Sequence, residues 1–455
     1  MTTSYTRLTL AFALCALCAC QGDYLTGGEL SNDPNRPTAA TNRQFFVGIQ
    51  ANLWSIWGGD PSRSTGIFAQ QFTGAQSQYQ SNIQSYQITE DNTNGLHSAL
   101  YAGGGLVDIR KLEAGTAAIF DTLGLGFAQV LEGALMGTGA DLFGDLVYNE
   151  ALTGTPNPPL DDQLQVYDTV QAVLSRGIAN LARRGGTNVG PGTADLTYGG
   201  DPAQWTAFAH TLKARFYMHT AEVRPAAYAA ALAEARQGIA SNADNYVGTF
   251  FDASGQQNLW YQFEITAGRH GYVIPNADFI SLLESRADPR RALYFNAAGD
   301  DLSAARLRPD FAQPFVTYDE NTLIWAEAAY RTNDPITALA KLNEARRNNG
   351  LADTVVAGQA LLREILTQKY IADFQLGEEA FNDYNRTCFP NLVPTGAVPG
   401  PIPARFYYDA SERQTDTSIP SPGQGVNRLK NRDNPPNAVS DGTGQACLGQ
   451  SEQAQ

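Results

Sequence analysis

The sequence predicts a mainly α protein built from helical hairpins with irregular, loop-rich elaborations. Apolar residues recur at helical spacing along most of the chain, and strand signals are short and sparse. A third observation is internal. Pro225 is followed by Leu232, Glu234, Ala235 and Arg236, and the same residues recur at the same spacing after Pro335 as Leu342, Glu344, Ala345 and Arg346. In each case the proline opens an Ala-rich second helix behind an apolar first one, and small residues let such helices approach closely.

The chain has 455 residues, of which 43% are hydrophobic and 17% charged, so it has ample apolar material for a core. A net charge of −15 argues against a nucleic-acid surface and against electrostatic docking on anionic lipid. Arg7 precedes an apolar run from Leu8 to Leu17, the length of a signal-peptide core and too short to cross a bilayer. The run ends in Leu17-Cys18-Ala19-Cys20, which resembles a bacterial lipobox. That resemblance makes 1–19 a signal peptide, Cys20 the acylated first mature residue and 20–38 a tether. An ordinary secretory signal is the alternative; the position of Cys20, where the apolar run stops and Gln21-Gly22-Asp23 begins, favours the lipobox.

The remaining residues, 39–455, read as one helical domain. Phe45, Ile49, Leu53 and Ile56 share a face of a first helix that stops at Trp57-Gly58-Gly59. The segment from Asp60 to Asn94 is polar, Gln- and Ser-rich and without a period. Helices are predicted at Leu96–Leu112 and Ala117–Met136, followed by one with Val166, Val170, Val173, Leu174, Ile178 and Leu181 on one face. Trp205, Phe208, Leu212 and Phe216 mark another, and Tyr246–Phe251 and Trp260–Ile265 are candidate strands. The repeated proline-headed helices look like tetratricopeptide-style packing. With Cys15 and Cys18 removed and Cys20 acylated, Cys388 and Cys447 remain as a pair that an oxidising envelope would bridge. Two free buried thiols are the alternative. The bridge would close a loop of about 60 residues, worth about 4 kcal/mol in the chain-entropy model, and pin the Pro-rich, irregular part 388–455 to the body.

Catalytic signals are weak. His97, His210, His219 and His270 form no metal-binding spacing, so no metal and no cofactor are expected. Gly103-Gly104-Gly105 and Gly137-Thr138-Gly139 lack the context of a dinucleotide site and read as close packing or turns. Acidic doublets such as Asp161-Asp162, Asp300-Asp301 and Glu378-Glu379 are expected by chance among 46 acids. Trp54, Trp205 and Trp325 fall at core positions. Trp57, Phe72, Tyr79, Trp260 and Tyr261 fall in or beside irregular segments interleaved with Asn and Gln, and make the candidate ligand surface. Rings would stack on apolar faces while amides bond hydroxyls.

Several stretches, in order, resemble the SusD/RagB family of nutrient-binding lipoproteins. They are Asp141-Leu-Phe-Gly-Asp-Leu-Val-Tyr-Asn-Glu-Ala151 with Asp161–Val173, and Gln204-Trp-Thr-Ala-Phe-Ala-His-Thr-Leu-Lys-Ala-Arg215. Ala338–Leu351, Ile365–Pro390 with its Glu379-Ala-Phe-Asn-Asp-Tyr-Asn-Arg386, and Ile402-Pro-Ala-Arg-Phe-Tyr-Tyr408 with Ser411-Glu412 complete the set. Val147 stands where the family usually has proline, and Thr415-Asp416 where it often has asparagine. The resemblance implies four tetratricopeptide-like hairpins and a place on the outer membrane, facing the exterior through the lipid anchor alone, while the missing catalytic motifs speak against an enzyme. It also implies an oligosaccharide or peptide nutrient and a SusC-like TonB-dependent transporter as partner, with this chain as its lid. It carries over no ligand residues; Arg386 and Arg405 look structural, pairing with acids around them. A surface glycoside hydrolase and a protein-binding envelope scaffold are the rival readings.

Overall fold

The computed structural model describes residues 40–183, 187–394 and 402–419. The expected signal peptide and tether, with Cys20, and the expected bridge partner Cys447 lie outside the described residues. Cys388 is disulfide-bonded.

Helix α1 (Asn42–Gly58) starts at a capping box in which Thr41 and Gln44 satisfy each other's backbone N–H, and it buries Phe46, Ile49, Leu53, Trp54 and Trp57. Gly59 and Pro61 then start α2 (Asp60–Phe68), a helix the sequence pattern does not predict. The reason is that α2 is buried nearly all round, including Ser62, Arg63, Ser64 and Thr65, so it has no wet face to create a period. Strand β1 (Phe72–Gly74) follows. The predicted helix Leu96–Leu112 is two helices, α3 (Asn94–Ala99) and α4 (Leu106–Ala118). They are broken where Gly103 and Gly104 take φ of 61° and 97°, and a Cβ on Gly104 would lie 2.5 Å from the Gly48 carbonyl oxygen. The next helix, α5 (Thr122–Phe143), starts later than predicted because the Asp121 side chain caps it at Gly124 N–H.

The α6 (Gln163–Leu181) and α7 (Pro202–Thr220) helices lie where predicted, followed by α8 (Ala227–Ala235) and β2 (Tyr246–Gly248). The predicted strand Trp260–Ile265 is instead helical, a turn capped by Asn258 that runs into a wider π-turn at Gln262–Thr266. Next come β3 (Val273–Pro275), α9 (Ala277–Ser285), α10 (Arg290–Tyr294) and β4 (Gln313–Val316). The C-terminal part holds α11 (Tyr318–Arg331), α12 (Pro335–Asn348), α13 (Gln359–Ala372), α14 (Gly377–Thr387) and α15 (Ala410–Thr415). β1 pairs antiparallel with β3, and β2 with β4.

Helices α5–α6, α7–α8 and α11–α12 pack as hairpins, and the two proline-headed segments are α8 and α12. Helix α13 packs on α11 and α12, while α14 lies chiefly against α2, so α2 completes the fourth unit. Small residues set the spacing. Ala214, Ala231, Ala235 and Ala328 fill the seam of α7, α8 and α11, and Ala326, Ala329, Ala338 and Ala345 that of α11, α12 and α13. On α5, Gly133 and Gly137 face Leu174 and Phe216, so the Gly137-Thr138-Gly139 segment is close helix packing.

Buried charges tie these helices together. Arg215 on α7 forks onto Glu320 on α11 at 2.6 and 2.7 Å. Arg386 on α14 does the same to Glu327 at 2.8 and 2.5 Å, with Asp383 at 2.8 Å. Lys369 on α13 reaches Glu379 and Asp383 at 2.6 and 2.7 Å. His219 on α7 lies between Asp141 on α5 at 2.6 Å and Glu379 at 3.2 Å. Spacings of four and seven residues put Arg215 with His219, Glu320 with Glu327, and Glu379 with Asp383 and Arg386 on single helix faces. Burial alone would lower the His219 imidazole, but the Asp141 and Glu379 carboxylates outweigh it and raise it to about 10. Arg386 is thus structural, as expected. Arg405 donates to the carbonyl oxygens of Phe143 and Phe406 and stacks over Tyr408.

Two predictions follow from this packing. Gly137→Ala puts a methyl group into the Phe216 ring and destabilises the fold by about 1–3 kcal/mol. Gly48→Ala, with open space around it in α1, is neutral or stabilises by about 0.5–1 kcal/mol; equal urea midpoints for the two variants would contradict the packing. His219 has a folded pKa of about 10 against an ordinary 6.5. Its stabilisation is therefore complete below pH 6.5 and is lost as pH rises towards 10. His219→Gln costs about 3 kcal/mol or more near neutral pH and removes that part of the pH slope. Identical slopes for variant and parent in urea titrations would refute the assignment.

Candidate functional site

The break between α1 and α2 opens a surface cleft of about 340 Å³. Ser55 and Ile56 come from the end of α1, and Asp60, Pro61 and Ser64 from the start of α2. Gln78 faces them from the turn after β1, Asp91, Asn92, Gly95, Leu96 and Ala99 from the segment entering α3, and Phe406 closes the base. Hydroxyl, amide and carboxylate groups thus surround a small apolar floor, a composition suited to a hydroxyl-rich ligand.

An aromatic wedge holds the wall of this cleft. The Tyr79 hydroxyl donates to Asp60, and Arg63 lies 3.7 Å from the same carboxylate. The Arg63 guanidinium sits 4.2 Å from the centre of the Phe263 ring and 5.8 Å from that of Trp260. Trp260 packs on Phe72 at 4.6 Å, and Phe72 stacks on Phe374 at 5.0 Å. Burial and the Asp60 carboxylate push the Tyr79 hydroxyl up to about 12 against the opposing Arg63 charge, so it remains a donor.

The two segments expected to form a ligand surface are therefore adjacent. β1 pairs with β3, Ala75 N–H donates to the Tyr272 carbonyl, and Tyr79 meets Phe263 edge-on at 5.3 Å. The rings themselves correct the expectation. Trp57, Phe72, Tyr79 and Trp260 are buried, at 3%, 1%, 2% and 1% exposure, and present no face to a ligand. Trp57 is a core residue whose indole N–H donates to Thr138 Oγ1 at 2.9 Å. Tyr261 alone of the five is half-buried at the surface. Polar, aperiodic surroundings resemble a loop, yet here α2 and the β1–β3 pair bury Ser62, Gln71 and Gln84 as bonded polar groups and turn the rings inward.

What the aromatic reading misses are the cleft's own polar residues, Asp60, Ser64, Gln78, Asp91 and Asn92. Their only signal is the Gln, Ser and Asn content of 60–94. Beside the wedge, Glu264 accepts from Gly271 N–H and lies 3.5 Å from His270, which is 3.8 Å from Asp301. Burial is the main cause that raises Glu264 to about 7. Among the described residues no cluster of three or more His, Cys, Asp or Glu could hold a metal ion.

Two family models match the chain: one described as starch-binding and associating with the outer membrane over residues 34–307, more than half of the chain, and one described as SusD and RagB outer membrane lipoprotein over 352–438. No curated protein matches closely enough to count as a relative. Among solved structures, a chitin-binding SusD homologue from Flavobacterium johnsoniae is similar with a TM-score of 0.71 and 19% identity, covering 84% of this chain and 98% of that one. A protein named as chitin-binding gives 0.68 and 21%, covering 83% and 94%. A SusD/RagB family protein from Bacteroides thetaiotaomicron gives 0.66 and 19%, covering 84% and 95%. At these identities the structures speak for the shared helical fold. The matched models, the ordered motifs and the hairpin architecture together place this chain in the SusD/RagB family of outer-membrane nutrient-binding proteins.

Proposed function

We propose that the chain captures an oligosaccharide in the α1–α2 cleft and delivers it to a SusC-like TonB-dependent transporter, on which it sits as a lid. Acylated Cys20 would hold it at the outer membrane, facing the exterior. No helix among the described residues is long and apolar enough to cross a membrane, which agrees with attachment through a lipid. The observation that carries the reading is the cleft itself, 340 Å³ lined by Ser55, Asp60, Ser64, Gln78, Asp91 and Asn92. Six polar side chains converging on a small floor offer both donors and acceptors to sugar hydroxyls, and a peptide could use the same amides. The chitin-binding names of two similar structures make chito-oligosaccharides the first probe, with starch oligosaccharides second.

Asp60 and Asp91 share the cleft, and paired carboxylates also serve glycoside hydrolysis. Asp60, however, is already engaged by Tyr79 and Arg63, which suits binding better than proton transfer. The prediction concerns Gln78 and Asp91, both exposed, so that their replacement leaves the core intact. Gln78→Ala with Asp91→Ala weakens oligosaccharide binding about tenfold or more in calorimetric titration, with the melting temperature unchanged. Undiminished affinity would move the site elsewhere. Hydrolysis of the bound sugar, abolished by Asp91→Asn, would make the protein a hydrolase instead.

A further inference from the structure

A hydrogen-bonded apolar turn lies at the surface close to the start of α1, where the described residues begin. Ile119 and Phe120 follow α4 and are 47% and 81% exposed, and Val189 on the adjoining loop is 56% exposed. Phe120 has a φ of 57°, a left-handed conformation that bulky side chains rarely adopt. The turn is nonetheless firmly held. Asp121 N–H donates to the Thr116 carbonyl, and the buried Asp121 carboxylate accepts from Gly124 and Gly190 N–H at 2.8 and 3.0 Å. Thr187 Oγ1 donates to the Ile119 carbonyl at 2.7 Å, which brings the Val189 loop alongside. The hydrogen bonds therefore fix a phenylalanine outward, where the hydrophobic effect alone would turn it in.

Its position says what covers it. Asn42, the first residue of α1, abuts Gly115, one helical turn before Ile119. Lys111 on α4 lies 5.6 Å from the centre of the Phe45 ring, and Gly192, just beyond Val189, lies beside Arg43. The start of α1 and the apolar turn are therefore neighbours on the surface. Roughly twenty residues separate Cys20 from Thr41, a length of chain that can reach at most about 70 Å. An acyl chain on Cys20 would keep that surface at the bilayer at high effective concentration. The net charge of −15 gives the chain as a whole no attraction to an anionic lipid surface.

We propose that Ile119, Phe120 and Val189 form a membrane-contact turn that dips into the lipid surface beside the acylated Cys20. This rests on the reading of Cys20 as the lipid-bearing residue. The acyl chain supplies retention and the turn supplies orientation, since a single point of attachment leaves rotation of the domain about it unconstrained.

The test places a reporter in the turn. Phe120→Trp is made in the full chain, which is presented to phosphatidylcholine vesicles with and without bromine on the acyl chains. The native tryptophans are buried or half-buried, so the added one stands out in the difference from the parent. The expected result is extra fluorescence that shifts blue on vesicles and is quenched at least twofold by brominated lipid, in a protein whose circular dichroism and melting match the parent. In a Cys20→Ala chain, Phe120→Asp lowers residual vesicle binding about tenfold. Extra fluorescence indifferent to brominated lipid overturns the proposal. So does loss of a co-purifying membrane protein in Phe120→Asp with vesicle binding unchanged, which would make the turn a protein contact. Mass spectrometry of the N-terminal peptide reads acylation separately, so an unmodified Cys20 would refute the anchor while quenching on added vesicles still tests the turn.

Discussion

Burying a charge costs several kcal/mol, and the hairpin array buries many of them at its centre, so every helix that contributes one must sit where its counter-ion waits. Arg386 and Glu327 are both fully shielded from water, as are His219 and Glu320. Sliding α14 by one turn along α11 would strand Arg386, Glu327 and Asp383 at once. This makes the network a device for register more than for net stability, since apolar residues of the same shape could pack as well. It joins α5, α7, α11, α13 and α14, helices scattered over the chain, through side chains at helical spacing.

That register reaches the cleft in two steps. Helix α14 holds α2: Gly377 packs so tightly on Ser62 that a Cβ there would strike the backbone, and Gly377 N–H donates to Ser62 Oγ. Helix α2 then presents Asp60 and Ser64 as one wall of the cleft. The Phe72–Trp260–Phe263 wedge fixes the same wall from below through Arg63 and Tyr79. Polar side chains on a rigid support lose little entropy when a ligand arrives, which favours capture by a preformed site.

Helices with one wet and one dry face were legible in the sequence. α1 and α6 lie close to their predicted bounds because burial alternates with the helical period, whereas α7, dry over most of its length, was legible from the helical spacing of Trp205, Phe208, Leu212 and Phe216 alone. α2 was illegible because it is dry nearly all round, and the break at Gly103-Gly104 was hidden by apolar residues on both sides of it. The ordered motifs were legible as a family pattern, yet Asp141, Arg215, Glu379 and Arg386 within them serve the buried network and not a ligand. The candidate site was legible as a region only. Trp57, Phe72 and Trp260 drew attention because large rings in polar segments suggest a platform, but the backbone hydrogen bonds of β1 and β3 turn Phe72 inward onto Trp260. Gln78 and Asp91 are ordinary surface residue types, and only the approach of α1, α2 and the segment before α3 brings them into one cleft.

The central claim is that this cleft receives the nutrient, and a crystal structure of the protein with a bound oligosaccharide tests it most directly. The account predicts a sugar ring against Gln78, Asp91 and Asn92, with Asp60 still held by Tyr79 and the wedge unmoved. Ordered sugar over the outer faces of α8 and α12, with the cleft filled only by solvent, would contradict it.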